Sequence, residues 1–109
     1  MFSPPFFTLF FTFLFTREKK REVELLVAEC YYNLGNFAEA AKLYERFVKD
    51  YPDAPQLVEA KFRLGDSQHK LGQLAEARRT WQDLLAAHPD HASARIAEAT
   101  FNIALTYQI

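Results

Sequence analysis

From residue 19 onward, apolar residues recur every three or four positions, which is the spacing of an amphipathic α-helix. Leu43, Tyr44 and Phe47 share one side of such a helix, and Trp81 and Leu84 share the corresponding side of a later one. Short polar or glycine-containing stretches separate these runs. The pattern therefore predicts five helices, near 19–34, 38–50, 55–71, 75–87 and 93–108.

Glycine and proline residues mark the predicted helix ends. Gly35 and Gly72 stand where a residue with a positive φ angle commonly ends a helix. Pro52 and Pro89 stop the helices before them, because the residue that precedes a proline is disfavoured in the helical conformation. These four residues divide most of the chain into two helix–turn–helix blocks.

Two helix starts are also visible in the sequence. Asn36 and Glu39 have the spacing of a capping box, so we expect Asn36 to cap the second helix. Asp53 and Pro55 predict the start of the third helix, because proline is tolerated in the first turn.

The two blocks are copies of each other at an offset of 37 residues, the first from Leu34 to Pro52 and the second from Leu71 to Pro89. The matched pairs inside them are Gly35 and Gly72, Ala40 and Ala77, Tyr44 and Trp81, and Phe47 and Leu84. A third copy begins, because residues 59–64 match residues 98–103 at an offset of 39. Such a period is the signature of a repeat architecture.

The first sixteen residues differ from the rest of the chain. Seven of the eleven phenylalanines lie in the first fifteen residues, and residues 6–15 contain only Phe, Leu and Thr. As a helix, residues 2–16 would be about 22 Å long, whereas a membrane span needs roughly 20 apolar residues. Three alternatives fit this segment: a signal peptide or short anchor, a wrongly assigned start, or a hydrophobic element packed on the helices.

Four basic residues follow this segment, at positions 17, 19, 20 and 21. Such a cluster favours the cytoplasmic side of a membrane, and basic side chains also attract anionic lipids. No Lys or Arg precedes the segment and no small-residue cleavage motif follows it, although signal peptides carry both. We expect either membrane contact through residues 2–16 or an ordinary solvated helix start at the basic cluster.

Length and charge limit the classes of function. A chain of 109 residues is enough for one small domain. Thirteen basic and fourteen acidic residues give a net charge of −1, which lacks the positive excess typical of nucleic-acid-binding domains. The single cysteine, Cys30, excludes an internal disulfide, and its position within a helix predicts a packed or half-buried thiol.

No catalytic or cofactor-binding motif stands out. The His/Asp cluster of His88, Asp90 and His91 surrounds Pro89, and the repeat explains it as a loop between units rather than as a set of metal ligands. Neither a phosphate-binding glycine loop nor a nucleophile elbow occurs. We therefore expect no catalytic residue, no metal, no cofactor and no enzymatic activity.

The repeated residues resemble the tetratricopeptide signature, L-G-x2-Y…A-x3-F…P. The matching residues are Leu64, Gly65, Ala77, Trp81 and Pro89 in the second copy and Val27, Ala28, Tyr31, Ala40, Tyr44 and Pro52 in the first. The resemblance covers about residues 21–109. It implies an all-α solenoid of helix pairs over residues 17–109, with units near 21–57, 58–94 and, in part, 95–109, after a separate segment at residues 1–16.

This resemblance implies a non-catalytic scaffold that binds a peptide or a partner helix in a concave groove. Two features depart from the usual pattern: Gln68 replaces an aromatic residue, and the period is 37 residues rather than 34. Longer units that end in the sequence of residues 51–55 resemble a bacterial envelope subset, such as the Tol-Pal coordinating protein and the outer-membrane assembly lipoprotein. That subset implies a periplasmic or membrane-associated envelope component, whereas the basic cluster favours the cytoplasm.

The resemblance assigns the groove to the first helix of each unit. The groove positions are Glu22, Leu25, Glu29 and Tyr32 in the first unit, Glu59, Phe62, Asp66 and His69 in the second, and Glu98, Phe101, Leu105 and Gln108 in the third. Family members that bind a C-terminal carboxylate carry Lys, Asn or Arg there, and this chain does not. We expect an acidic groove with apolar anchors that prefers a basic or amphipathic peptide, and the alternative is a merely solvated charged face.

The last predicted helix has no partner helix after it. Its apolar residues Phe101, Ile103, Leu105 and Ile109 have no visible cover in the sequence. An uncovered apolar end favours association. We therefore expect either that the sequence is a fragment of a longer protein or that the chain self-associates through this end.

Overall fold

The computed structural model describes residues 5–89 and 94–107, and this part of the chain folds into five helices with no strands. Consecutive helices pack against each other, and α3 also contacts α5. This all-α arrangement confirms the predicted fold class. The helices are α1 (Pro5–Asn33), α2 (Phe37–Asp50), α3 (Leu57–Lys70), α4 (Leu74–Ala87) and α5 (Ala94–Thr106).

The turns inside the two helix pairs depend on glycine. Gly35 has a φ angle of 81° and Gly72 has one of 82°, a conformation that other residues rarely adopt. Beyond Gly35, the backbone N–H of Asn36 donates to the carbonyl oxygen of Tyr31 at 2.9 Å, which satisfies a carbonyl at the end of α1. Each glycine therefore closes one helix and reverses the chain into the next, as the sequence predicted.

The helix starts agree with the sequence in one case and differ in the other. The side-chain oxygen of Asn36 accepts a hydrogen bond from the backbone N–H of Glu39 at 3.3 Å, so the predicted cap of α2 is confirmed. The predicted start of α3 at residue 55 is wrong, because α3 begins at Leu57. The backbone N–H of Leu57 instead donates to the carbonyl oxygen of Ala54, which continues the turn past Pro55.

The start of α1 is the largest difference from the predicted helices. We expected a helix from about residue 19, but α1 is one unbroken helix from Pro5 to Asn33 that includes most of the phenylalanine-rich segment. Residues 6–33 contain neither glycine nor proline, so nothing in the sequence interrupts the helix. Within the described residues, no helix has the length and apolar character that crossing a membrane requires.

The buried side chains form two apolar clusters that share α3. Leu64 of α3 lies in the first cluster, with Tyr44 and Phe47 of α2. Phe62, on another side of α3, lies in the second cluster with Trp81 of α4. Because α3 contributes to both clusters, it couples the first helix pair to the second.

Each of the two complete units buries one aromatic side chain of its second helix near a small residue of its first helix. Trp81 is fully buried, and its indole N–H donates to the carbonyl oxygen of Phe62 at 3.2 Å. A Cβ atom at Gly65 would lie only 2.6 Å from the Cδ1 atom of Trp81. In the first unit, the smaller Tyr44 occupies the equivalent position, and Ala28 replaces the glycine. The size of the aromatic ring therefore matches the size of the residue it packs on.

This match predicts a coupled pair of substitutions. Gly65→Ala should destabilise the fold by about 1–3 kcal/mol, because the added methyl group overlaps a buried indole. Trp81→Tyr should destabilise it by roughly 2 kcal/mol through the cavity left behind. The double variant recreates the Ala/Tyr pair of the first unit, so its loss should be at least about 1 kcal/mol smaller than the sum.

Urea unfolding of the full chain, followed by far-UV circular dichroism, measures the three free energies. Gln82→Ala, at an exposed position of α4, is the control and should leave the stability nearly unchanged. Simple additivity of the two single substitutions would contradict the proposed size match.

Candidate functional site

Side-chain bridges join the first helices of the three units, α1, α3 and α5, into one surface, which we call the first-helix face. Between α1 and α3, the hydroxyl of Tyr32 donates to the carboxylate of Asp66. The ammonium group of Lys70 donates to the same Asp66 oxygen at 2.8 Å and to the Tyr32 hydroxyl oxygen at 3.0 Å. These three groups fix the end of α1 on α3.

A second bridge connects α3 with α5. The guanidinium of Arg95 donates to both carboxylate oxygens of Glu59, at 2.7 and 3.0 Å, and Arg63 donates to Glu59 at 3.1 Å. Partial burial acts to raise the pKa of Glu59, but the hydrogen bonds from Arg95 and Arg63 outweigh it, and the pKa lies below its ordinary value. Glu59 is therefore held in its charged form between two cations.

The cations of this face also lie over aromatic rings. The guanidinium carbon of Arg63 is 4.6 Å from the centre of the Tyr32 ring, and that of Arg95 is 4.7 Å from the centre of the Phe62 ring. A cation at this distance is attracted to the ring face. Ion pairs and ring contacts together hold these long side chains close to the helices.

The carboxylates predicted to make the groove acidic are not equivalent. Glu59, Asp66 and Glu98 each form an ion pair with an arginine or lysine of the same face. Glu22 pairs at 3.7 Å with a lysine of its own helix, with both side chains largely exposed. Glu29 is half-buried and forms no ion pair with any residue the structure describes. Of these carboxylates, Glu29 on α1 is thus left without a countercharge in the described part of the chain.

The predicted apolar anchors of the groove also differ from one another, in how much of each side chain is exposed. Leu25 is 8% exposed and Phe62 is 4% exposed, so both side chains belong to the core in this conformation and present almost no surface. Phe101 is 65% exposed and Leu105 is partly exposed, both on α5. Gln108 lies outside the described residues.

The histidines do not form a site in the described part of the chain. The ring of His69 is half-buried, 5.8 Å from the ring of Trp81. Of the predicted loop cluster, His88 is described, whereas Asp90 and His91 lie outside the described residues. Among the residues that the structure places, no group of three or more ligand side chains surrounds a common point.

Sequence reasoning missed the three cations of the first-helix face, Arg63, Lys70 and Arg95. The signal for two of them was present: Arg63 follows Glu59, and Lys70 follows Asp66, by four residues each, the spacing at which side chains meet on a helix. The contact between Glu59 and Arg95 joins different helices, so no local spacing reveals it.

Comparisons with known proteins agree with this architecture. A family model of the tetratricopeptide repeat matches residues 25–92 and, in a second register, residues 62–105. The chain is also similar to the Protein CTR9 homolog of Arabidopsis thaliana, with 35% identity over 66 residues. This match covers 61% of the chain but only 6% of the plant protein. Neither comparison supports the resemblance to the bacterial envelope subset.

Repeats of this type generally mediate protein–protein interaction as non-catalytic scaffolds. The family model spans most of the residues from α1 to α5, and the helices pack in the consecutive order that stacked helix pairs require. This chain therefore belongs to the tetratricopeptide repeat family.

Proposed function

We propose that the chain is a non-catalytic scaffold that binds a peptide or a partner helix on the first-helix face. The observation that carries this proposal is the pair of bridges, Tyr32 with Asp66 and Glu59 with Arg95. They connect three helices through side chains and so order the surface before any partner arrives. A preordered surface loses less conformational entropy on binding.

The charges of this face favour a basic or amphipathic partner. Glu22 and Glu29 supply negative charge on α1 that no cation of the neighbouring helices neutralises. Phe101 supplies an exposed aromatic side chain on α5, at the other side of the face. A peptide with basic residues towards α1 and an apolar residue towards α5 complements both features.

Binding of two matched peptides tests this preference. A short amphipathic peptide of leucine and lysine should bind more tightly than its counterpart with glutamate in place of lysine. Glu29→Gln should weaken binding of the lysine peptide about two- to threefold, because a charge at the edge of an interface has a small effect. Fluorescence anisotropy with labelled peptides, at low and high salt, measures the affinities.

Glu45→Gln is the matched control, because Glu45 is an exposed glutamate of α2 with no ion pair among the described residues. It should leave the affinity unchanged. Equal binding of the two peptides, or an equal effect of both substitutions, would contradict the basic preference. Absence of binding of both peptides to the native chain would contradict the scaffold proposal itself.

The Glu59 bridge predicts a pH dependence of stability. Because the folded-state pKa of Glu59 is lowered, its ion pairs stabilise the fold above the unfolded-state pKa of about 4.3. This contribution should disappear as the pH falls through the lower folded-state pKa. Glu59→Gln should therefore cost up to about 1 kcal/mol at pH 7, since the bridge is partly exposed, and almost nothing in strong acid.

Urea unfolding of the native chain and of Glu59→Gln, over a pH series from neutral to strongly acidic, measures the difference between their free energies of unfolding. Glu45→Gln should show no such convergence. A difference between the native chain and Glu59→Gln that stays constant over the series would show that Glu59 acts through packing rather than charge.

A second candidate function is attachment to a membrane through the start of α1. Leu9, Phe11 and Phe13 are 63–70% exposed, although apolar side chains of this size favour burial. Arg17 and Lys20 follow on the same helix, where they are able to contact anionic lipid headgroups. We propose that this segment lies in a lipid surface, and the envelope location implied by the sequence resemblance is part of this second proposal.

Flotation of the full chain with lipid vesicles tests the attachment. The chain should float with vesicles that contain phosphatidylglycerol, and less with pure phosphatidylcholine. The double variant Phe11→Ser, Phe13→Ser should lose most of this binding. Phe101→Ser is the matched control, because Phe101 and Phe11 are each 65% exposed, and it should float normally. Equal losses for both variants would contradict a specific membrane segment.

A further inference from the structure

The repeat shows which side of each first helix a preceding second helix covers. On α3, Ala60 and Leu64 lie in one apolar cluster with Tyr44 and Phe47 of α2. The equivalent residues of α5 are Ala99 and Ile103, which pack in the cluster of Trp81 and Leu84 of α4. A third position completes the pattern with a small polar residue, Ser67 on α3 at 0% exposure and Thr106 on α5 at 3%.

On α1, the same positions are uncovered. The residues 37 positions before Ala60, Leu64 and Ser67 are Val23, Val27 and Cys30. Val23 is 58% exposed and Val27 is 40% exposed. Cys30 is exposed too, so the prediction of a packed or half-buried thiol is wrong. The reason is that no helix covers this side of α1 in the described structure.

These residues belong to a continuous apolar stripe on α1. Leu26 extends it on the helix, at 58% exposure, and Leu34 continues it in the turn directly after α1, at 80% exposure. The stripe consists of Val23, Leu26, Val27, Cys30 and Leu34, with the spacing of one helix face. It lies away from Leu25 and Ala28, which face the core with α2. Helix α1 therefore has two apolar sides, of which one is buried.

The stripe borders a groove between α1 and α2. The groove has a volume of about 130 Å³ and is lined by Val23, Glu24, Val27, Leu43, Arg46 and Phe47. Five of these residues are at least partly exposed. The groove is large enough for an apolar side chain of a docking helix.

The chain next to α1 does not cover the stripe. Between α2 and α3, the turn of residues 51–56 lets α2 fold back onto α3. Before the stripe there is no turn, because α1 continues as one uninterrupted helix back to Pro5. The buried residues of α2 and α4 in these clusters are at most 1% exposed, so these two helices of a second copy are not free to dock through them.

We propose that this groove binds an amphipathic helix of a different protein, with the side-chain spacing that α2 and α4 bury in the clusters they share with α3 and α5. That spacing is alanine, then an aromatic residue four positions later, then Phe or Leu three positions after it. In this chain it is carried by Ala40, Tyr44 and Phe47 and by Ala77, Trp81 and Leu84, all at most 1% exposed. The site is distinct from the first-helix face.

A peptide with the sequence of residues 37–50 is the probe. A lactam bridge between its exposed Glu45 and Lys49 side chains, one helical turn apart, stabilises the helix, because so short a peptide is otherwise largely unfolded. The labelled peptide should bind the full chain saturably in fluorescence anisotropy. The same peptide with Tyr44→Ser and Phe47→Ser should bind at least tenfold more weakly.

Substitutions in the protein locate the binding. Val27→Glu should weaken the peptide at least tenfold, because it places a charge in the groove. Leu71→Glu is the matched control, since Leu71 is also 40% exposed but lies between α3 and α4, and it should have no effect. Circular dichroism verifies that both variants are folded. Glu29→Gln, on the first-helix face, should not change this binding.

The rate of alkylation of the single cysteine, Cys30, is an independent measurement of docking. A docked helix should bury Cys30 as Ser67 and Thr106 are buried, so saturating peptide should slow its alkylation by iodoacetamide at least fivefold. Absence of saturable binding, equal binding by Val27→Glu, or unchanged alkylation would overturn the proposal. A dimer in sedimentation experiments that Val27→Glu dissociates would also overturn it, because a second copy would then occupy the groove.

Discussion

Burial of one aromatic ring in each helix pair is the constraint on which the rest of the structure depends. Tyr44 and Trp81 are fully buried; Trp81 leaves no room for a side chain at Gly65, and Tyr44 shares its cluster with the small Ala28. Ala28 and Gly65 let the helices approach closely. Because α3 packs on both sides, the close approach in one unit also sets the position of the next.

The first-helix face, the apolar stripe and the start of α1 differ in how many of their side chains already have partners within the chain. On the first-helix face, most charges have partners, so the proposed selectivity depends on the unpaired Glu29 and the exposed Phe101. On the outer side of α1, the stripe has no partner at all in the described structure. Leu9, Phe11 and Phe13 near the start of α1 are also exposed, but the phenylalanine-rich segment lacks the spacing of a single helix face. The three proposals accordingly assign a different kind of partner to each surface.

Much of the fold was readable in the sequence, because glycine turns, prolines and a 37-residue period are local or periodic signals. The start of α1 was not, since an apolar run without a helix breaker gives no boundary. The candidate site was predicted less well. Leu25 and Phe62 hold groove positions of the family but are buried here, and periodicity does not show which side of a helix a neighbour covers. The bridge from Glu59 to Arg95 depends on the distance between two helices, which no spacing along the chain encodes.

The unbroken course of α1 has a mechanical consequence. Its 29 residues form a helix about 43 Å long, and this one helix carries both the first turns and the α1 part of each proposed binding surface. A contact that fixes the first turns therefore also fixes how far those surfaces lie along the helix axis and in which direction around it they face. One residue inserted between Thr16 and Glu22 would displace them by about 1.5 Å and rotate them by about 100°. Under the proposed attachment to a lipid surface, the register of this helix is constrained as well as its composition.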